Sequence, residues 1–120
     1  MMRDIYISGG YTDDGGDPLK LMQKYNSHTD EYSEMPFLIE ARCNHASIVS
    51  GQYLYAFGGR TTGKYELSRS IEMLNLLVCQ AWEKLITDDD NVARENAAVT
   101  AINPLKLLVF GGTTGPYLPN

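Results

Sequence analysis

Three pairs of adjacent glycines, Gly9 with Gly10, Gly58 with Gly59, and Gly111 with Gly112, each close a short apolar run, and their first members stand 49 and 53 residues apart. The runs are Asp4-Ile5-Tyr6-Ile7-Ser8, Tyr53-Leu54-Tyr55-Ala56-Phe57 and Lys106-Leu107-Leu108-Val109-Phe110. A short, nearly continuous apolar run stopped by glycine marks a strand buried on both faces. The glycines that follow supply the positive φ and the close backbone approach that other residues resist.

Other segments recur in the same order. Tyr25-Asn26 with Tyr32 is answered by Leu74-Asn75 with Trp82, and Arg42-Cys43-Asn44-His45-Ala46 by Arg94-Glu95-Asn96-Ala97-Ala98. Turn residues separate them at Ser50-Gly51-Gln52, at Asn26 to Asp30 and at Asn103-Pro104. Each unit therefore reads as a four-stranded antiparallel meander: an opening strand near Ala46–Val49 or Ala98–Ala101, the glycine-terminated strand, a third strand ending near Tyr25 or Leu74, and an outer strand carrying Tyr32 or Trp82. A repeat of about 50 residues is the mark of a β-propeller blade, and such blades close in rings of about four to eight. The chain of 120 residues holds little more than two repeats. The expected architecture is all-β, a propeller fragment of about two to two and a half blades. Residues 4–41 give the last three strands of a first blade, 42–93 a complete blade, and 94–120 the first two strands of a third. The remaining blades are expected from a longer parent chain or from other copies, because repeat units need neighbours to bury their faces.

Ten Lys and Arg against fifteen Asp and Glu leave a formal charge of −5. With no basic run, a nucleic-acid partner is not expected. No apolar stretch approaches the eighteen or so residues of a membrane helix, and the N-terminus lacks a signal-peptide core, which points to a soluble cytoplasmic protein without a membrane partner. Cys43 and Cys79 lack metal-site spacing and read as reduced apolar fillers.

An apolar strand ending in a glycine pair, then Tyr followed by Asn, then Trp some six residues on, is the pattern of the kelch repeat. The sequence resembles kelch-repeat proteins over about Asp4 to Gly112, with Tyr32 standing for Trp in the first unit and Leu74 for Tyr in the second. The resemblance implies a kelch-type propeller acting as a protein–protein interaction module. Within it, Gly9, Gly10, Gly58, Gly59, Gly111, Gly112, Tyr25, Tyr32 and Trp82 are structural, the aromatics packing blade against blade. It also implies recognition for a ubiquitin-ligase adaptor, with a cytoskeletal, actin-binding scaffold and a sugar- or small-molecule-processing enzyme as alternatives.

In a four-stranded meander, the loop between strands two and three shares an end with the link to the next blade. That end gathers Tyr11 to Lys20, Pro36 to Asn44, Arg60 to Glu66, Thr87 to Asn96 and Thr113 to Tyr117, and recognition usually resides on such loops. In the resembling adaptors, an arginine before the innermost strand and the residue after the glycine pair contact partners. Carried over, this marks Arg42, Arg94, Tyr11 and Arg60, with Asn44 and Asn96 beside them, as partner-binding. An arginine there suits a carboxylate on an acidic peptide; the structural alternative has Arg42 and Arg94 capping turns and pairing with local acids.

No catalytic constellation is expected. His28 lies in a turn and His45 beside an innermost strand, and neither the run Asp88-Asp89-Asp90 nor the group Asp13, Asp14 and Asp17 has calcium-loop spacing. No metal or cofactor is implied.

Overall fold

A computed structural model describes residues 4–13, 16–61, 66–86, 89–103 and 105–114. Eleven strands lie among them: β1 (Asp4–Ser8), β2 (Met22–Asn26), β3 (Glu31–Glu34), β4 (Ala46–Ser50), β5 (Tyr53–Phe57), β6 (Ile71–Asn75), β7 (Glu83–Ile86), β8 (Arg94–Glu95), β9 (Ala98–Asn103), β10 (Lys106–Phe110) and β11 (Thr113–Thr114). No helix among the described residues is long and apolar enough to cross a membrane. The architecture is all-β. Antiparallel sheets run β1-β2-β3, β4-β5-β6-β7 and β9-β10, and β8 pairs with β11 in a two-stranded ribbon.

Local chemistry sets the strand ends. Asn26 accepts the backbone N–H groups of His28 and Thr29 through Oδ1 at 2.9 and 3.1 Å, and Asn75 accepts that of Leu77 at 3.0 Å. An Asn side chain that mimics a backbone acceptor folds the chain back after β2 and after β6. At Gly51, φ is 61°, the left-handed value that a two-residue hairpin demands.

Alternation along each strand assigns its two faces. Leu54 and Ala56 of β5 are buried with Leu74 of β6 and Trp82 against Met22, Met35 and Leu38 of the preceding unit. On the opposite face, Phe57, Ile71 and Ala46 pack with Val99, Leu107 and Val109 of the following one. The central sheet is thus sandwiched between its neighbours, and no unit has a core of its own.

Tyr32 and Trp82 show what this arrangement decides. Tyr25 lies opposite both Ile5 and Tyr32, so these three share one face. Tyr32 was expected to pack blade against blade. It is instead 64% exposed, its ring 4.9 Å from that of Tyr25, because no described residue covers that face of the first sheet. Trp82, one residue before β7 rather than inside an outer strand, has the first sheet over it; it is 5% exposed and donates from Nε1 to the Pro36 carbonyl at 2.9 Å.

Neighbouring units meet through the glycines. A Cβ on Gly58, where φ is 54°, would overlap the carbonyl oxygens of Val92 and Arg94, and one on Gly59 would lie 2.7 Å from the Cys43 carbonyl oxygen. Gly111 has φ 75° but no heavy atom within 4 Å of such a Cβ. Gly58→Ala is therefore expected to cost more than about 2 kcal/mol, combining a left-handed backbone with a backbone clash, whereas Gly111→Ala costs only the conformational penalty of about 1 kcal/mol. Urea titrations of the two variants against the parent chain measure the difference.

Candidate functional site

The loops between second and third strands and the links between sheets meet at one end of the molecule, stitched by backbone pairs. Tyr11 bridges Pro18, Leu19 bridges Arg42, and Arg60 bridges both Cys43 and Leu67. Cys43 and Arg60 exchange two hydrogen bonds, at 3.0 and 2.8 Å. The second glycine of each of the first two pairs donates to the arginine carbonyl of the next unit: Gly10 to Arg42 and Gly59 to Arg94, both at 2.8 Å. Asn96 N–H donates to the Asn44 carbonyl at 2.8 Å, joining the starts of two innermost strands. Asn44 and Asn96 have φ of 54° and 60°. Asn tolerates that region better than other non-glycine residues, which gives its recurrence a backbone reason.

The six expected contact residues separate by exposure. Tyr11 is 57% exposed, Asn44 and Asn96 are exposed, and Arg60 and Arg94 are half-buried. Arg60 donates from Nε to Cys43 Sγ and from Nη2 to the Gly16 carbonyl, each at 3.4 Å. Arg42 is a correction. Its side chain is 0% exposed and offers no atom to a partner.

Instead, Arg42 pairs with Glu72, likewise 0% exposed: Nε and Nη2 reach Glu72 Oε2 at 3.0 and 2.9 Å. Nη1 donates to the carbonyls of Gly58 and Ser70 at 2.8 and 3.1 Å, and Nη2 to Ser70 Oγ at 2.7 Å. Glu72 in turn accepts the backbone N–H groups of Ile39 and Glu40 at 2.6 and 3.0 Å. A buried charge pair is tolerated only when its remaining donors and acceptors are filled, and here they are. Glu72, Ser70 and Glu40 were not singled out from sequence. One signal was present: Glu72 shares its strand face with Leu74, so a charge stands at an inward position of an apolar strand. Removing one partner of such a pair typically costs about 3–5 kcal/mol. Glu72→Ala is expected to lose stability in that range by denaturant unfolding, and Arg42→Met/Glu72→Met to lose less than the sum of its two single substitutions.

Beside this pair lies His45. It shares a 2.8 Å hydrogen bond with Ser8 Oγ across the seam between the first two sheets. Its Nδ1 is buried without a partner among the described residues. Burial, with the Arg42 charge nearby, lowers its pKa to about 4. At Glu40, burial pushes upward, but hydrogen bonds from Ser70 and Lys84 and the Arg42 charge prevail and hold it at about 2. Histidine in the unfolded chain ionises near 6.5, so protons favour unfolding as pH falls from about 6.5 toward 4. The Glu40 contribution is present above about 4.5 and is lost as pH falls toward 2. The fold is expected to weaken by roughly 3 kcal/mol between pH 6.5 and 4 on account of His45. Denaturant midpoints measured along this range check the loss, which His45→Gln reduces.

His28 is exposed in the β2–β3 turn. No group of three His, Cys, Asp or Glu among the described residues is arranged to hold a metal ion. Cys43 is buried and Cys79 half-buried, both as free thiols; Cys79, with φ 53° after the turn that follows β6, packs against the core between the first two sheets. Asp14, Asp88, residues 62–65 and Tyr117 lie outside the described residues.

Sequence comparison agrees with this architecture. Residues 41–85, from the link before β4 to β7, match the family model of the Kelch motif. The chain is 38% identical over 60 residues to Kelch-like protein 23 of Mus musculus and 37% identical to that of Homo sapiens, covering 50% of this chain and 11% of each relative. Kelch-like protein 25 of Xenopus laevis is 31% identical over 116 residues, 92% of this chain and 19% of the relative. The chain thus spans a fifth or less of the length of these relatives.

Proposed function

We propose that this chain, a sequence of kelch repeats, serves as a protein-interaction module through the loop end that carries Tyr11, Asn44, Arg60, Arg94 and Asn96. The observation that carries this reading is the stitching of that end. Backbone pairs tie three units together near the loop end, where Tyr11, Asn44 and Asn96 are exposed and Arg60 and Arg94 half-buried, which supports this reading. Preorganised aromatic and arginine side chains supply most of the affinity at protein interfaces, because little entropy is lost in ordering them. Arg60 and Arg94 suit a carboxylate-bearing peptide segment. Within a longer protein of the Kelch-like kind, such a module would select the substrate of a ubiquitin-ligase adaptor.

Tyr11→Ala combined with Arg60→Ala is expected to remove specific partners captured from extract by affinity purification and mass spectrometry. Gln52→Ala, in the exposed turn at the opposite end, is expected to leave them unchanged. Equal partner lists from the two variants would count against the loop end as the binding surface.

A further inference from the structure

The link between the first two sheets carries two apolar side chains that the fold does not use. It crosses the loop end from β3, the outer strand, to β4, the innermost. Met35 and Leu38 are buried in the core between the sheets, whereas Phe37 is 58% and Ile39 40% exposed. The backbone is braced on both sides. The N–H groups of Met35 and Leu38 donate to the carbonyls of Met22 and Lys20 at 3.1 and 3.0 Å, and the Pro36 carbonyl accepts Trp82 Nε1. The N–H groups of Ile39 and Glu40 end on the buried Glu72 carboxylate. Phe37 and Ile39 are therefore presented on a fixed strap, away from a seam that Met35 and Leu38 already fill.

A single exposed apolar residue is ordinary, but two on one braced segment form a patch that another apolar group can remove from water. The scaffold does not require them. Counting back from Arg94 as from Arg42, the next link has Asp89 and Asn91 at these two places. The charge beside the patch is positive: Lys20, whose carbonyl holds Leu38, is exposed, and among the described residues no carboxylate pairs with its ammonium group. The carboxylate of the strap itself, on Glu40, is engaged by Lys84 and Ser70, and Glu34 lies beyond the outer end, on β3.

We propose that residues 36–40 dock a partner segment that lays two large apolar side chains on Phe37 and Ile39 and sets a carboxylate against Lys20. The apolar contacts supply the affinity, since the strap loses little freedom on binding, and the ammonium group selects an acidic segment over a basic one. This rests on the loop end being the recognition surface and names the chemistry of its partner, using none of the five residues by which that surface was defined.

The test selects random peptides of about twelve residues displayed on phage. The library is first depleted on the chain carrying Phe37→Ser and Ile39→Ser, which removes peptides that bind elsewhere, and is then selected on the unaltered 120-residue chain. Enriched peptides are expected to share two large apolar residues and at least one Asp or Glu. A fluorescein-labelled member, followed by anisotropy, is expected to bind the Lys20→Glu chain at least about tenfold more weakly. Replacing its acid by Lys restores binding to that chain. Lys20 is exposed and makes no side-chain contact that the fold needs, so an unchanged urea midpoint is expected to accompany the loss, and the charge swap answers even if the Phe37→Ser/Ile39→Ser chain folds poorly. No enrichment over uncoated wells, enriched peptides without that composition, or a binder indifferent to Lys20→Glu overturns the proposal. Tyr11→Ala/Arg60→Ala, tried against the same peptide and against extract, separates the two claims. A peptide that needs Lys20 supports the strap even where partner capture survives that double variant, and one indifferent to Lys20 overturns the strap even where capture is lost.

Discussion

The buried pair of Arg42 and Glu72 is the contact on which the central part of the molecule depends. In the dry interior between two sheets, neither charge is tolerable alone. Together they gather the loose ends of three segments: the backbone of the link at Ile39 and Glu40, the glycine carbonyl that ends β5, and the Ser70 that leads into β6. The link between the first two sheets is therefore held from within, and Met35 and Leu38 are drawn into the core as it crosses. Lys84 adds a tie from the outer strand through Glu40, at 3.0 Å.

Around that pin, the seams between sheets vary while their backbone pattern is kept. The first seam places His45 against Ser8; in the second, the equivalent positions are Ala97 and Phe57. The polar seam is the acid-sensitive one, since its imidazole has exchanged water for a hydroxyl on one nitrogen and, among the described residues, for no partner on the other. Both seams retain the donation from the second glycine to the next unit's arginine carbonyl. Side chains at the loop end can change without disturbing this frame, which is how a rigid scaffold comes to carry variable recognition.

Much of the fold was legible because strands and glycines obey short-range rules. The apolar runs before the glycine pairs became β1, β5 and β10, and the repeated Asn residues became the caps of hairpin turns. The ribbon of β8 with β11 and the single bridges were not foreseen, since one or two paired residues leave no periodicity to read. The site was less legible. Position alone could not separate Arg94, half-exposed, from Arg42, fully enclosed: the two share a sequence context and differ in whether, among the described residues, a strand with a carboxylate lies beside them. Tyr32 and Trp82 make the same point for packing, holding equivalent places on sheets of which, among the described residues, only one is covered.

By itself, then, the sequence determined the repeating unit, its strand order and the end of each sheet from which the loops emerge, because these follow from alternation, turn chemistry and the conformational freedom of glycine within a few dozen residues. Only the tertiary structure decided that Arg42 is enclosed as a structural pin while Arg94 is half-buried, and that Trp82 is core. Those outcomes depend on the unit next door, since burial and the cost of a charge are set by what surrounds a residue and not by its neighbours along the chain.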